Sequence, residues 1–323
     1  MAKRKSKSSI KSPVAVIITL LIMVLAYLLV AGCDYYDVDL GFDYELKGLN
    51  IFNLIMPKDD LDEPLPVPED GKAIYHFIDV GQGDAILVTT AEGNMLIDTS
   101  ESGEREALDS YLKSAGIKSL KYLVLTHPDA DHIGNADYII NNYEIETVLM
   151  TDHASTSKTY ERLLDAIENS KAKLEIVEAG YKFSLGSIQN TVIAPNDDYN
   201  DPNEMSLVIK SVYGDTSVML TGDAEVESEE DIVKKWSSDA LKCDILKVGH
   251  HGSTTSTTDG FLAAVDPDIA VISCGEGNSY GHPHKEIIEK LEKKGVEIYR
   301  TDTDGSIIFK TDGKSFTLVE KRK

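Results

Sequence analysis

Four apolar, strand-like runs of this 323-residue chain end at or near a histidine or an aspartate. Open α/β sheets place their binding sites at the carboxyl ends of their strands, so side chains that follow several such strands can meet. The pattern therefore predicts an α/β sheet with chemistry-bearing side chains gathered at one edge. The runs and the segments that close them are KYLVLT with HPDADH, TSVMLTG with Asp223, CDILKVG with His250-His251, and DIAVISC with the slightly later His282-Pro283-His284.

Strand-like and helical runs are intermixed from residue 73 to the end of the chain. Further strand-like runs are AIYHFIDV, DAILVTT, NMLIDT, ETVLM, NTVIAP and MSLVIKSVY, and helices are predicted in EREALDSYLKSAG and near 157–170, 224–236, 258–265 and 284–294. The chain ends in two strands, GSIIFKT and SFTLVE, about a turn at Asp312-Gly313. About 250 residues of this kind are within the range of one domain, so we predict a single α/β domain over 73–323.

The first 33 residues are typical of a targeting or membrane segment. Residues 1–13 are basic and polar, and 14–30 (VAVIITLLIMVLAYLLV) carry no charge. Because the positive charge precedes the apolar run, the rest of the chain is expected outside the cytoplasm. The sequence Val30-Ala31-Gly32-Cys33 resembles a bacterial lipobox. Two interpretations stay open, a lipoprotein attached through Cys33 and an uncleaved signal anchor with a free thiol there.

An acidic, proline-containing linker is predicted over residues 34–72. Its run PLPVPED favours an extended, solvated chain that lifts the domain away from a bilayer. An alternative for the more apolar stretch 49–56 is a strand packed on the domain. Together these patterns divide the chain into an anchor at 1–33, a linker at 34–72 and an α/β domain at 73–323.

Charge and cysteine content restrict the possible partners. The chain carries a net charge of −23, and the five basic residues before Cys33 leave −28 on the rest. Such a surface argues against tight, non-specific binding of nucleic acid, although Lys247 and Lys285 are candidates for a local positive mouth. Three cysteines exclude a disulfide framework, and Cys243 and Cys274, which lie in apolar runs, are predicted to be buried.

The segment His127-Pro128-Asp129-Ala130-Asp131-His132 is the sharpest cluster. Carboxylates and neutral imidazoles are ligands for Zn, Mn or Fe, and four such side chains within six residues can converge on one point. The alternative is an aspartate-rich helix N-terminus, where Asp is a favourable cap. Capping would account for one aspartate but not for the flanking histidines, so we predict a metal site.

Taken together, six stretches resemble the metallo-β-lactamase superfamily. They are FIDVGQGDAILV, NMLIDT, THPDADHIGN, LTGDAE, LKVGHHGS and YGHPH, and they cover roughly residues 73–300. They are most similar to the extracytoplasmic hydrolase domain of ComEC-type DNA-uptake proteins, without the multi-span channel of those proteins. The resemblance implies a four-layer αββα sandwich, here preceded by an N-terminal membrane segment.

The resemblance also implies a set of metal ligands. The superfamily's metal loop has the form His-x-His-x-Asp-His, and this chain has Asp129 at the second histidine. A further histidine usual in the first site is also missing, since His153 comes too early. We therefore expect one or two divalent ions, Zn or Mn, one of them firmly held and one conditional. The implied ligands are His127 and Asp129 for the first site, Asp131, His132 and His250 for the second, and Asp223 as the bridge.

Divalent ions at such a site activate water for hydrolysis and stabilise a phosphodiester's oxygens. The resemblance gives Asp131 the role of orienting the water or accepting its proton, and His251 or His282 the role of the acid. Asp84 and Asp98 are expected to orient the ligating histidines, and Ser253 and His284 to contact a substrate phosphate. The alternatives are a turn-stabilising role for Asp84 and helix capping for Ser253 and His284.

These features predict a membrane-tethered, extracytoplasmic, metal-dependent hydrolase of the bacterial envelope. A phosphodiesterase or nuclease related to the competence proteins, acting on a phosphodiester such as DNA, is the leading hypothesis. Two alternatives are a hydrolase of a small or cell-wall phosphodiester and a non-catalytic metal-binding module of an envelope or DNA-uptake assembly. Contact with the membrane is expected through the N-terminus, and the sequence gives no sign of an obligate protein partner.

Overall fold

Two β-sheets form the centre of the computed structural model, which describes residues 65–322 of the chain. The predicted anchor at 1–33 and most of the linker lie outside the described residues. Of the predicted linker, 65–72 are described, and Leu65 is buried in the apolar core. Within 65–322, no helix combines the length and the apolar character that crossing a bilayer would require.

The described residues contain fifteen strands, eight in the first sheet and seven in the second. The first sheet has the order β15-β14-β1-β2-β3-β4-β5-β6, and the second has β13-β12-β11-β10-β9-β8-β7. The strands are β1 Ala73–Phe77, β2 Ile86–Thr90, β3 Gly93–Ile97, β4 Ser119–Leu125, β5 Glu144–Met150, β6 Lys173–Ile176, β7 Lys182–Leu185, β8 Ile188–Ala194, β9 Val208–Tyr213, β10 Thr216–Leu220, β11 Ile245–Lys247, β12 Ile269–Ile272, β13 Glu297–Arg300, β14 Ser306–Thr311 and β15 Phe316–Arg322.

Each sheet is antiparallel on one side and parallel on the other. In the first sheet β15, β14, β1, β2 and β3 pair antiparallel, and β3 to β6 pair parallel. In the second, β7 to β10 pair antiparallel and β10 to β13 parallel. Short turns join antiparallel neighbours, whereas parallel neighbours need a crossover. The carboxyl ends of the parallel strands therefore lie along one edge of each sheet.

Nine α-helices in the described part of the chain supply most of these crossovers. They are α1 Arg105–Ser114, α2 Ala130–Ile133, α3 Ala136–Asn142, α4 Lys158–Asn169, α5 Val226–Lys235, α6 Ser238–Leu241, α7 Asp259–Val265, α8 Lys285–Lys294 and α9 Thr301–Asp304. The side chains of Ser157, Ser237 and Thr258 accept backbone hydrogen bonds at the starts of α4, α6 and α7, a favourable N-terminal cap.

Three apolar clusters hold the layers together. The middle cluster contains residues of both sheets, among them Phe77 and Val124 of the first and Leu220 of the second, so it lies between the sheets. A second cluster packs the first sheet on α1, α3 and α4, and a third packs the second sheet on α5, α7 and α8. The result is a two-sheet α/β sandwich with helices against both sheets.

The strand-like runs and the long helices predicted above occur in the structure, and Cys243 and Cys274 are buried free thiols as predicted. The prediction omitted β6, β7 and β13 and the short helices α2, α3, α6 and α9. Strand β6, Lys173–Ile176, illustrates why, because it lies at the sheet edge and is largely exposed. Its sequence KLEI does alternate polar and apolar residues, but four residues are too short a run to identify a strand with certainty.

Candidate metal centre

The carboxyl ends of strands from both sheets meet at one place. Asp98 follows β3, the segment 127–132 follows β4, Asp223 follows β10 and His250-His251 follow β11. The centre therefore combines two loops from each sheet. This is the location that the strand-end pattern predicted.

Four side chains form the centre itself, namely Asp131, His132, Asp223 and His251, with one donor atom from each lying within 4.8 Å of the others. His132 Nε2 lies 3.2 Å from Asp223 Oδ2. His251 Nε2 lies 3.4 Å from Asp131 Oδ2 and 3.3 Å from Asp223 Oδ2. The side chain of Asp131 is 31% exposed and the other three are buried, so Asp131 faces the open side.

The two imidazoles of this group are fixed by bonds from their other ring nitrogens. His132 Nδ1 donates to Asp98 Oδ2 at 2.8 Å, and His251 Nδ1 donates to the carbonyl oxygen of Ser273 at 3.0 Å. Asp98 is itself held by the backbone N–H and hydroxyl of Thr126, at 2.8 and 2.7 Å. Among the described residues, both Nε2 atoms are buried without a hydrogen-bond partner. Metal-ligating histidines are commonly oriented in this way, so the donor set fits a divalent ion.

Electrostatics agree with that fit. Burial alone would lower the pKa of His251, but the carboxylates of Asp223 and Asp131 outweigh it and raise the pKa to about 9. Burial is likewise outweighed for His132, whose pKa is raised well above its ordinary value by Asp223 and Asp98. The two histidines thus carry the positive charge that balances the carboxylates, and a divalent cation would supply the same charge.

His127 and Asp129 lie beside the four-donor group. His127 Nδ1 is 3.2 Å from Ser206 Oγ, and its buried Nε2 has no hydrogen-bond partner within residues 65–322. Asp129 Oδ2 is 4.0 Å from that Nε2, and its side chain is 45% exposed. Burial and the positive charge of His132 lower the pKa of His127 to about 3, so its imidazole is neutral. This pair is available to a second ion, but only its histidine is fixed.

His250 and His251 have separate positions although they are neighbours in sequence. Both have left-handed backbone angles, with φ of 46° and 53°, which cost a non-glycine residue about 1–3 kcal/mol each. His250 turns towards Glu225, to which its Nδ1 donates at 2.7 Å, and its Nε2 is 3.8 Å from Asp223. The sequence assigned the ligand role to His250 and the acid role to His251, whereas the four-donor group contains His251. Nothing in the dipeptide itself distinguishes the two.

Asp84 and Lys247 form a buried ion pair behind His251. Lys247 Nζ is 2.8 Å from Asp84 Oδ2, and Asp84 Oδ1 is 3.6 Å from His251 Nδ1. The expectation that Lys247 lines a positive mouth is therefore wrong, because its side chain has no exposed surface. The adjoining Gly83 has a φ of 124°, and a Cβ there would lie 2.3 Å from the carbonyl oxygen of Asp131. Glycine lets this loop pass directly against the metal loop.

Asp84, Asp98 and His132 form another set of donors within 4.8 Å of one another. Asp84 Oδ1 has no hydrogen-bond partner among the described residues, but the facing atoms of Asp98 and His132 already bond to each other. Asp98 accepts from Thr126 and His132, and Asp84 is paired with Lys247. This set supports the four-donor group and does not offer a separate metal site.

The remaining predicted residues lie on the loops after β11 and β12. The ring of His282 lies 6.3 Å from that of His251, and burial together with the nearby histidines lowers its pKa to about 4. His284 Nδ1 accepts from the backbone N–H of Thr254 at 3.0 Å and does not cap α8. The Ser253 hydroxyl is 2.9 Å from Thr255 Oγ1 and is buried in its own loop. Of these three side chains, only His282 borders the four-donor group.

A cavity of about 950 Å³ lies at the carboxyl ends of β5, β6 and β8 and contains none of the candidate ligands. Its charged lining is mostly acidic, with Lys235 as its one basic residue. Lys285, the other lysine considered for a positive mouth, pairs with Glu289 at 2.5 Å. Lys285 is 83% exposed in this pair, so it is the one of the two lysines that still reaches solvent.

Comparison with known proteins places this geometry in a family. The family model described as Metallo-beta-lactamase superfamily matches residues 78–276. The chain is 33% identical over 253 residues to ComE operon protein 3 of Bacillus subtilis, covering 72% of this chain and 32% of that protein. It is 31% identical over 250 residues to competence protein ComA of Neisseria gonorrhoeae, covering 76% and 33%.

The chain thus spans about a third of the length of these curated relatives. The crystal structure of the metallo-beta-lactamase fold protein YhfI from Bacillus subtilis matches with a TM-score of 0.50 and 10% identity, covering 74% of this chain and 100% of that one, and this likeness concerns the fold. The strand-end histidines and aspartates, the two-sheet sandwich and these matches lead to one conclusion: the chain belongs to the metallo-β-lactamase superfamily and is similar to the ComEC-type competence proteins.

Proposed function

We propose that this chain is a membrane-tethered, extracytoplasmic, metal-dependent phosphodiesterase that cleaves nucleic acid. One observation carries the proposal. The two buried imidazoles of His132 and His251 point unpartnered Nε2 atoms at the carboxylates of Asp131 and Asp223, with Asp131 at the open side. Such a donor set is suited to an ion that must also accept a substrate.

In this proposal, Asp131, His132, Asp223 and His251 would hold one ion firmly. His127 and Asp129, together with Asp223, would hold a conditional second ion. Two nitrogens and two oxygens suit either Zn or Mn. A bound divalent ion would supply Lewis acidity and a lowered pKa for water.

The chain's own residues have distinct roles in the proposed reaction. Asp131 is the exposed carboxylate of the group and is placed to orient the attacking water and accept its proton. His282 has a pKa of about 4 and is neutral at physiological pH, so it acts as a hydrogen-bond donor to a phosphate oxygen. His251 is occupied within the donor group, which leaves His282 as the histidine that meets the substrate.

The competence relatives and the apolar segment at 14–30 support an envelope location and a nucleic acid substrate. Lipid attachment at Cys33 is tested by a Cys33→Ser variant expressed in a bacterial host. A lipoprotein is expected to lose the lipidated, processed form and to accumulate as the larger precursor, which still carries the apolar run 14–30. Retention of both mobility and membrane association would support the uncleaved anchor.

The activity is tested with the full-length protein in mild detergent, stripped of metal. Hydrolysis of bis(p-nitrophenyl) phosphate and of linear DNA is followed with added Mn or Zn. The Asp131→Asn and Asp223→Asn variants are expected to lose turnover. Asp259→Asn is a matched control, because that side chain is 92% exposed and lies on α7.

Each outcome separates the candidate functions. Metal-dependent cleavage of both substrates supports the nuclease, and cleavage of the small diester alone supports an enzyme for a small or cell-wall phosphodiester. If the metal binds and neither substrate is cleaved, the phosphodiesterase proposal fails and a metal-binding module is favoured.

A further inference from the structure

Tyr280 is the one exposed aromatic side chain among residues 65–322. It is 64% exposed, whereas the other tyrosines, phenylalanines and Trp236 of this region are buried or half-buried. It lies on the loop between β12 and α8, which also carries His282. A single exposed apolar residue needs no explanation in general, so its position and support decide whether it has a role.

The loop that carries Tyr280 is held by the side chain of Asn278. Asn278 Oδ1 accepts from the backbone N–H groups of Tyr280 and His282, at 3.1 and 3.0 Å. Its Nδ2 donates to the carbonyl oxygens of Gly275 and His282, at 2.9 and 2.6 Å. The turn is thus tied together from within, and Tyr280 is presented by a preorganised loop.

The ring of Tyr280 continues a stack of rings that begins at the metal centre. It lies nearly parallel to the ring of His282, with centroids 5.6 Å apart and planes at 22°. His282 in turn lies nearly parallel to His251, with centroids 6.3 Å apart and planes at 27°. Two ring-to-ring steps therefore join an exposed aromatic face to a member of the four-donor group.

Charge limits how this centre can hold a nucleic acid strand. The chain carries −23 overall, and the lysines near the site are paired, Lys247 with Asp84 and Lys285 with Glu289. Phosphate contacts by basic residues, which supply most non-specific affinity, are therefore few at the described site, because Lys247 is buried and Lys285, 83% exposed, is the only one of the two that reaches solvent. Stacking of a base on an aromatic ring needs no positive charge and accepts any base.

We infer that Tyr280 is a stacking platform for an unpaired base next to the scissile phosphodiester. The inference rests on the proposed function and adds to it a substrate class, single-stranded nucleic acid. A base in a duplex is already stacked and paired, so its face is not available to Tyr280. The site would therefore prefer single strands or frayed ends over intact duplex.

Binding tests the inference without turnover. Full-length protein in EDTA is titrated into a fluorescein-labelled single-stranded oligonucleotide, with Tyr280→Leu, Tyr280→Phe and the neighbouring Ser279→Ala as variants. Tyr280→Leu is expected to weaken binding about 5- to 150-fold, the range that corresponds to one stacked base. The Phe variant, which keeps the ring, and the Ser279 control are expected to bind like the wild type.

Abasic substitutions locate the contact. One position of the oligonucleotide at a time is replaced by an abasic residue, and one such position is expected to weaken wild-type binding but not to weaken Tyr280→Leu further. A 2-aminopurine at that position is expected to be quenched by the wild type and by Tyr280→Phe only. An equal abasic penalty in wild type and Tyr280→Leu would overturn the inference.

The outcomes also separate this inference from the proposed function. If the wild type does not bind single strands but cleaves bis(p-nitrophenyl) phosphate, the platform is excluded and the phosphodiesterase stands. If stacking is observed and no phosphodiester is cleaved with metal bound, the platform stands in a binding module and the phosphodiesterase fails.

Discussion

The two sides of the candidate metal centre differ in how firmly the fold holds them. On the inner side, the buried His132 and His251 are each fixed by a hydrogen bond from Nδ1, and both point Nε2 at the buried Asp223. On the outer side, His127 is buried but Asp129 is half-exposed, and its nearest approach to the histidine is 4.0 Å. The difference teaches that suitable ligand residues do not by themselves make a strong metal site. The donors must also be held in place before the metal binds, and only those of the inner side are.

The largest expected effect is a loss of stability when the buried ion pair behind the inner side is broken. Lys247→Met leaves Asp84 buried and unpaired, which should lower the free energy of unfolding by about 3–5 kcal/mol. Urea unfolding of the metal-free protein measures this change in the free energy of unfolding. Lys285→Met, in an exposed pair, should change stability by less than about 1 kcal/mol. Equally small changes in stability for the two variants would mean that the Asp84–Lys247 pair does not support the inner side. In the double variant Asp84→Asn/Lys247→Met, which removes both charges, much of the lost stability should be recovered.

The next effect distinguishes the two neighbouring histidines. His251→Ala removes a donor of the inner group, and metal affinity and turnover should fall more than about 100-fold, beyond the loss typical of a supporting residue. His250→Ala, which removes the contact to Glu225, should cost about tenfold or less. Metal titration by calorimetry and diester hydrolysis measure both. The opposite order would restore His250 to the ligand role assigned from sequence.

A smaller effect is expected behind the inner side. Asp98→Asn keeps the shape of the side chain but weakens its hold on His132 Nδ1, so metal affinity should fall about 10- to 100-fold. Calorimetric titration with Mn and Zn provides the measurement. The exposed Asp259→Asn serves as the control. An unchanged affinity would show that packing alone orients His132.

The smallest effect is expected on the outer side. Asp129→Ala should leave the affinity of the firmly held ion within about tenfold, since Asp129 lies outside the four-donor group and is not one of the supports of its histidines. It should reduce the number of ions bound per chain if the second ion is present at all. Metal content after equilibrium dialysis tests this. A loss of both ions would contradict the division of the centre into two unequal sides.

The sequence alone predicted much of this arrangement because its signals are local. The apolar runs of β4, β10 and β11 identify buried strands, and the polar residues at their ends are adjacent in the chain. Because each group of polar residues directly follows a buried strand in the sequence, the centre could be placed at the strand ends. Edge strands such as β6 and β13 were missed, since each has only four residues and so carries little periodic signal.

What the sequence by itself determined is that histidines and aspartates follow several buried strands, since each strand and the side chains at its end are close together in the chain. Tertiary structure alone decided which member of His250-His251 joins the four-donor group, because Glu225 holds His250 and Ser273 holds His251. It also decided that Lys247 is buried, since its partner Asp84 comes from a distant loop. Both outcomes depend on contacts between residues far apart in the sequence, and a local sequence pattern does not reveal such contacts.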